Sequence, residues 1–405
     1  MIEHQHPLGS DGASPSQHFH VRPKFATRRF ASQPMLDSSN SRTAFRRRLL
    51  KWFDANQRDL PWRKNRTPYR IWVSEIMLQQ TQVATVIDYY LRFMKRFPNV
   101  KKLAAADQAD VLKLWEGLGY YRRARQLHAA AQVVVEKHSG RFPTDFENVL
   151  ALPGIGRYTA GAILSISLDQ KLPILEGNTI RLFARLLAMR DDPRSSANQK
   201  VLWEFSESIL PRKRCGDFNQ ALMELGSEIC TPSKPSCEQC PISNDCPTFV
   251  QGLQSQIPAA GKKMKFENLH EAVVVVRKGQ GTGTRFLVRQ CGPDERWSGL
   301  WDFPRYEIKS GTANGKVQTD LANQLKTRTG LNATVTPTDK RIKHAVTKYR
   351  ITLDCFVANS PTGRLKKNQT ATQWLTAAEL ADLPMSSTGR KIVKSLNELD
   401  QALLF

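Results

Sequence analysis

Leu152-Pro153-Gly154-Ile155-Gly156-Arg157-Tyr158-Thr159-Ala160 is the stretch from which this chain is best read. Gly154 and Gly156 share one short turn, where missing side chains let the backbone pass close to another molecule. Arg157 to Ser167 reads as a helix, and Asp145 to Leu150 before the turn reads as another. A helix start has unpaired N–H groups and the positive end of the dipole, so a glycine turn that opens a helix is a cradle for phosphate. An ordinary corner between two helices looks the same in isolation. The rest of the chain decides between them.

The 405 residues carry 60 Lys and Arg against 37 Asp and Glu, a formal net charge of +23. Such a surplus attracts a polyanion, of which nucleic acid is the commonest. The length allows two or three domains, and 40% hydrophobic residues suffice for packed cores. No stretch approaches the roughly 20 apolar residues of a membrane-spanning helix, which predicts a soluble protein.

Cys230, Cys237, Cys240 and Cys246 fall in one short segment with the spacing C-x6-C-x2-C-x5-C, while Cys215, Cys291 and Cys355 are scattered. One tight cluster in an odd total points to an intracellular metal site and away from a disulfide framework. Four thiolates suit either zinc or a [4Fe–4S] cluster. Structural zinc sites usually pair two C-x2-4-C units across a longer insert. Here a single C-x2-C is flanked by wider gaps after a helix, and that compact loop fits an iron–sulfur cluster better.

Residues 1–41, rich in Ser, Gln, His, Pro and Arg, read as a disordered basic tail. Arg28-Arg29-Phe30-Ala31-Ser32 has the composition of an organellar presequence, but Glu3 and Asp11 precede it and a solvated tail is expected. Residues 42–250 read as helical almost throughout. Thr67 as N-cap and Pro68 open a helix carrying Ile71, Trp72, Glu75, Ile76 and Leu78. Another helix ends with Leu112, Leu114 and Trp115 before the turn Gly117-Leu118-Gly119. Asn178 to Met189 and Asp217 to Ile229 are two more, and 229–247 form the cysteine loop. Residues 251–268, with Lys262, Lys263 and Lys265, read as a linker. From 269 to 405 the pattern turns to α+β: strands at Glu271–Arg277, Arg285–Arg289 and Tyr349–Val357, helices at Leu321–Thr329 and Gly389–Leu396.

The hairpin, followed by this cysteine loop, resembles the endonuclease III superfamily of DNA glycosylases. Ser74-Glu75-Ile76-Met77-Leu78-Gln79-Gln80-Thr81-Gln82 and Gly117-Leu118-Gly119-Tyr120-Tyr121 are similar to its adenine glycosylase branch, the MutY family. The resemblance covers residues 45–250 almost without gaps. It implies a mainly α helix–hairpin–helix domain with a [4Fe–4S] loop, followed by an α+β Nudix-like domain. It also implies excision of adenine opposite 8-oxoguanine or G, leaving an abasic site.

Adenine is a poor leaving group when neutral, so its removal needs an acid at the base and negative charge near the cationic sugar, after the base has left the stack. Glu75 matches the family's catalytic acid. In an apolar setting its proton would be retained near neutral pH. Without the resemblance it reads as a surface residue of an amphipathic helix. The second carboxylate departs from the family: relatives have Asp before Gly-Asn, and this chain has Glu176-Gly177-Asn178. Glu176 keeps the charge with one more methylene, and Asn178 matches the pattern. Tyr158 stands where lyase members carry a Schiff-base lysine, which implies a monofunctional enzyme. Gln80 and Tyr120, with Thr81, match residues that enter the DNA stack; Trp62 and Arg63 match the wall of the adenine pocket. Gly154 and Gly156 are the phosphate-binding turn. For each of these, plain packing or an ordinary turn is the alternative.

The second domain resembles the Nudix-like domain that reads 8-oxoguanine in MutY proteins, through Trp297-Ser298-Gly299-Leu300-Trp301-Asp302-Phe303-Pro304. Ala322 to Thr329 lacks the clustered glutamates of a Mg²⁺-dependent hydrolase, so nucleotide hydrolysis is not expected. Where relatives have Phe-Ser-His in the recognition loop, this chain has Val346-Thr347-Lys348 after His344. Thr347 keeps a hydrogen-bonding group and Lys348 a positive charge. The expected partner is double-stranded DNA containing A opposite 8-oxoguanine or G, bound by a monomer without a membrane. The expected place is the nucleoid of a bacterial cytoplasm, or an organelle or nucleus in a eukaryote. The competing readings are a thymine or uracil mismatch glycosylase, a DNA-binding homologue weakened at Glu176, and a zinc-containing regulator.

Overall fold

A computed structural model of the chain describes residues 36, 38–261, 265–308, 314–366 and 371–396. Most of the basic tail, with Arg28 to Ser32, lies outside the described residues, as do Lys262 and Lys263. The first part is all helix: α1 Ser39–Asn56, α2 Pro61–Lys64, α3 Pro68–Leu78, α4 Val83–Arg96, α5 Val100–Ala104, α6 Gln108–Trp115, α7 Arg122–His138, α8 Phe146–Leu150, α9 Arg157–Leu168, α10 Gly177–Leu186, α11 Ser196–Ile209, α12 Cys215–Glu228 and α13 Pro247–Val250. No helix among the described residues is long and apolar enough to cross a membrane.

These helices bury two apolar clusters. One gathers side chains from α2 through α9, with Trp72, Phe93 and Trp115 at its centre. The other joins α1 to α10–α12 through Phe45, Phe53, Phe183 and Phe218. Packing two helical layers on separate cores leaves a cleft between them. Pro68 opens α3 at its first position, but the Thr67 side chain makes no capping hydrogen bond, so the start rests on proline geometry alone.

The second part contains β1 Glu267–Lys278, β2 Arg285–Gln290, β3 Trp301–Asp302, β4 Arg305–Glu307, α14 Asn314–Thr329, β5 Leu331–Asn332, β6 Val335–Val346, β7 Tyr349–Asn359, β8 Thr362–Gly363, β9 Thr372–Thr376, α15 Ala377–Asp382 and α16 Ser387–Lys394. The main sheet runs β3-β2-β1-β7-β6, with β1 and β7 parallel; β4 pairs with β1 and β9 with β2. The period of two in β1 divides its valines. Val273 and Val275 pack toward α15 and α16, while Ala272, Val274 and Val276 pack toward α14. Helices on both faces explain why Glu271 to Val276 are buried without a break. The segment read as a linker is tied down in part: Ile257 is buried and its carbonyl accepts from Arg185.

Candidate active site

The cleft between the two helical clusters is a cavity of about 500 Å³. It brings together Trp62, Arg63, Glu75, Gln80, Thr81, Tyr158, Glu176 and Asn178, and adds Arg58, Gln220, Met223 and Glu224, which the sequence did not mark. Tyr120, Gly154, Gly156, Thr347, Lys348 and the four clustered cysteines lie outside it.

Glu75 sits mid-helix on α3, whose other side chains from Tyr69 to Met77 are buried except Arg70. Its carboxyl is therefore withdrawn from water. Burial pushes its pKa up to about 7; Glu176 pushes the same way, against the Tyr158 hydrogen bond and the Arg63 charge. The Tyr158 hydroxyl donates to Glu75 Oε2 at 2.6 Å and lies 3.4 Å from Met223 Sδ. Burial, with two carboxyls close by, holds the Tyr158 pKa well above the phenol range, so the ring oxygen keeps its proton and acts as a donor. A carboxyl near 7 has both of its protonation states available at neutral pH, which suits a group that first gives and then takes a proton.

Glu176 is the N-cap of α10. Its Oε2 accepts from the Asn178 N–H and its Oε1 from the Thr179 N–H, both at 2.9 Å, while its own N–H donates to Thr179 Oγ1 at 2.8 Å. Aspartate is the usual capping acid. Here the longer side chain makes both capping bonds, so the extra methylene is accommodated without loss of the cap. Burial raises the Glu176 pKa, opposed by these N–H groups and by Arg181. Asn178 Oδ1 accepts from Arg181 at 2.9 Å, and Arg181 also donates to the Cys230 carbonyl at 2.7 Å, which links this corner to the cysteine loop.

Trp62 is buried edge-on against Tyr90, with centroids 5.4 Å apart. Arg63 is held by Glu224, a residue only 2% exposed, at 2.9 Å, and by Gln220 at 3.1 Å. Arg58 grips the same carboxylate. Burial would raise the Glu224 pKa, but the two guanidinium groups pull it down to about 2. The pocket wall is thus a fixed ionic network. Arg123 is a second fixed point that the sequence did not mark. It donates to the carbonyls of Ile76, Met77, Gln79 and Gly119 and to Thr81 Oγ1, and stacks near Tyr120. One buried arginine therefore ties the Gln79–Thr81 turn to the Gly117–Tyr120 turn. Gln80 and Tyr120 both have positive φ, 56° and 49°, and Tyr120 is half-exposed. Two exposed residues in strained backbone, on turns that one arginine ties together, suit insertion into a partner.

At the hairpin only Gly154 needs glycine geometry. Its φ is +78°, and a Cβ there would stand 2.7 Å from Gln126 Cβ. Gly156 is extended, with open space where a Cβ would go, and caps α9 without a side-chain hydrogen bond. The first N–H groups of α9 are left for an outside acceptor.

Cys230, Cys237, Cys240 and Cys246 line one small cavity. Burial raises the pKa of Cys240 to about 12 and of Cys246 to about 11, and the neighbouring thiols add to both. Among the described residues no group of three or more Cys, His, Asp or Glu is placed around a single metal ion. Four thiols lining one cavity are the donor set by which a protein holds an iron–sulfur cluster. Arg185, fully buried, donates to Cys230 Sγ at 3.2 Å and to the carbonyls of Thr231, Gln254 and Ile257, so the loop is built around a guanidinium. Arg48 pairs with Asp245 and closes the loop against α1.

In the second part, Thr347 occupies the tip of the β6–β7 hairpin with φ +51°, and Lys348 pairs with Glu267 at 2.7 Å. His344 lies 6.1 Å from the Trp297 ring; burial, with Arg305 and Arg296 nearby, lowers its pKa to about 4. The helix α14 carries one acidic residue, Asp320.

Three family models match the chain: HhH-GPD superfamily base excision DNA repair protein over 73–208, the iron–sulfur binding domain of endonuclease III over 230–246, and the NUDIX domain over 272–395. The fold and the cleft are thus those of a helix–hairpin–helix base-excision protein that carries an iron–sulfur loop and a Nudix domain. The adenine DNA glycosylase of Buchnera aphidicola subsp. Acyrthosiphon pisum is 38% identical over 266 residues, which is 65% of this chain and 75% of that protein. The chain belongs to the adenine DNA glycosylase family. Those of Rattus norvegicus and Homo sapiens are 48% and 42% identical over 230 and 275 residues, 54% and 65% of this chain. The chain spans about half the length of these mammalian relatives, 45% and 49%. Its four clustered cysteines are placed to hold the [4Fe–4S] cluster of the family.

Proposed function

We propose that this chain hydrolyses the N-glycosidic bond of adenine opposite 8-oxoguanine or G in duplex DNA, as a monomer, and leaves an abasic site. The observation that carries the reading is Glu75, with a pKa near 7, beside Tyr158 and Glu176 in one cleft. Glu75 in its acid form gives a proton to the flipped adenine as the bond to the sugar breaks. The electron pair of that bond leaves with the base. Glu176, fixed by two N–H groups, faces the developing positive charge on the sugar, and the Glu75 carboxylate then takes the proton of the attacking water. Tyr158 keeps Glu75 in place and cannot form an imine, so the backbone strand stays intact. The adenine glycosylase relatives support this base over thymine or uracil. In this reading residues 42–250 excise the base, 269–405 read the lesion through the Thr347 hairpin, and 251–268 join them. Single-turnover cleavage of duplexes carrying A, T or U opposite 8-oxoguanine, G or C tests it. Fast loss of adenine only opposite 8-oxoguanine and G is expected, and preferred loss of T or U would overturn it.

A further inference from the structure

The two parts of the chain meet at the turn that carries Tyr120. Leu300, from the Trp297–Leu300 loop, is fully buried in the core of the helical part, and a Cβ added to Gly299 (φ +84°) would stand 3.4 Å from Leu112 Cδ1. Arg125 on α7 donates to the Ser298 carbonyl at 2.5 Å. Beside this plug, Arg390 on α16 makes a two-pronged ion pair with Glu116, at 2.6 and 2.9 Å, with both side chains less than one-fifth exposed. The Met385 N–H donates to the same carboxylate at 3.3 Å.

Glu116 is the residue at which α6 ends and the Gly117–Tyr120 turn begins. Its carbonyl accepts from Tyr89 at 2.8 Å, and the next N–H, of Gly117, donates to the Tyr121 hydroxyl at 3.2 Å. The turn then takes positive φ at Gly117, Gly119 and Tyr120, and the strained Tyr120 conformation relies on surrounding contacts to hold it. Arg123 fixes the far end and Glu116 the near one. A two-pronged Arg–carboxylate pair fixes orientation as well as distance.

We infer that the Arg390–Glu116 pair is a positioning device through which the second domain sets the Tyr120 turn, and so the opposite-base selectivity of the cleft. The selectivity clause rests on the proposed function; the positioning clause does not. Neither residue lines the cleft. The pair acts through the turn.

Hydrogen exchange of the full-length, DNA-free protein tests the positioning. The amides of Gly117, Leu118 and Arg123 report on the turn, because each has a partner within or beside it. Glu116→Gln and Arg390→Gln, which approach the pair from opposite domains, should each speed their exchange by about tenfold, and the double variant should go no faster than either. Rates within twofold of the parent, or single effects that multiply in the double variant, overturn the inference. In single-turnover assays each variant should narrow the ratio of excision opposite 8-oxoguanine to that opposite G by about tenfold, and should do nothing further in a Tyr120→Ala background. An unchanged ratio overturns the selectivity clause. A parent protein that excises no adenine overturns the proposed function, and the exchange result still decides the clamp.

Discussion

Glu75 should be a residue that the fold tolerates at a cost, and replacing it should stabilise the protein while removing its activity. Its carboxyl moves from an ordinary 4.5 to about 7 on folding because it is buried. At about 1.4 kcal/mol per tenfold change in proton affinity, ionising it inside the fold costs about 3 kcal/mol at pH 8. The sign follows from which state holds the proton. Between pH 4.5 and about 7 the folded chain keeps a proton that the unfolded chain has released, so stability falls as pH rises through this window and levels off above it. Glu75→Gln keeps an acceptor for the Tyr158 hydroxyl and has no charge to bury. It should be about 3 kcal/mol more stable than the parent at pH 8 and nearly equal to it at pH 4.5. Urea unfolding of both proteins across that range measures the difference. The same variant should lose about 10²–10⁴-fold in single-turnover excision while binding duplex as before, and the parent's rate should decline as pH rises past 7. A stability difference that does not change with pH would refute the burial argument, and near-normal excision by Glu75→Gln would remove it from the chemistry.

Glu176→Gln should lose most excision activity because the charge facing the sugar is gone, whereas Glu176→Asp, which still caps α10, should retain it; a parent as slow as Glu176→Gln beside a fast Glu176→Asp would mark the glutamate as a disabled site. The parent protein should yield abasic products that break only after alkali, and Tyr158→Lys should gain a borohydride-trapped adduct; trapping by the parent would demand another amine in the cleft. Cys237→Ser should lose iron on anaerobic purification together with duplex affinity, and zinc in the parent by metal analysis would refute the cluster. Gly154→Ala should destabilise by about 1–3 kcal/mol through its positive φ and the Gln126 contact, while Gly156→Ala, which fits its space, should leave the melting temperature unchanged and weaken duplex binding; equal binding by Gly156→Ala would argue against a phosphate at the start of α9.

Much of this protein is written in local pattern. The glycines of the hairpin, the cysteine spacing and the apolar stripe of α3 each work within a few residues, so they are legible in one dimension, and so is the valine run of β1. The long strand β6 was not, because Pro337, Asp339 and Lys340 interrupt its period of two; it is an edge strand with an irregularity between Pro337 and Arg341, where one side stays exposed. Nor did the sequence mark Arg123, Arg185 or Glu224, since a charged residue reads as solvated until its partners are known, and those partners are carbonyls and ions contributed by elements far along the chain. The departure at Glu176 was visible as a residue type, but only the geometry of α10 showed that the longer acid still caps the helix. Trp297–Leu300 carries the Nudix-like resemblance in the sequence, but its docking into the helical core follows from packing alone. Sequence determined which chemistry-bearing residues the chain has and which local shapes they take; the tertiary structure decided which of them meet, and burial in the cleft between two cores turned Glu75 from a helix glutamate into an acid near neutral pH.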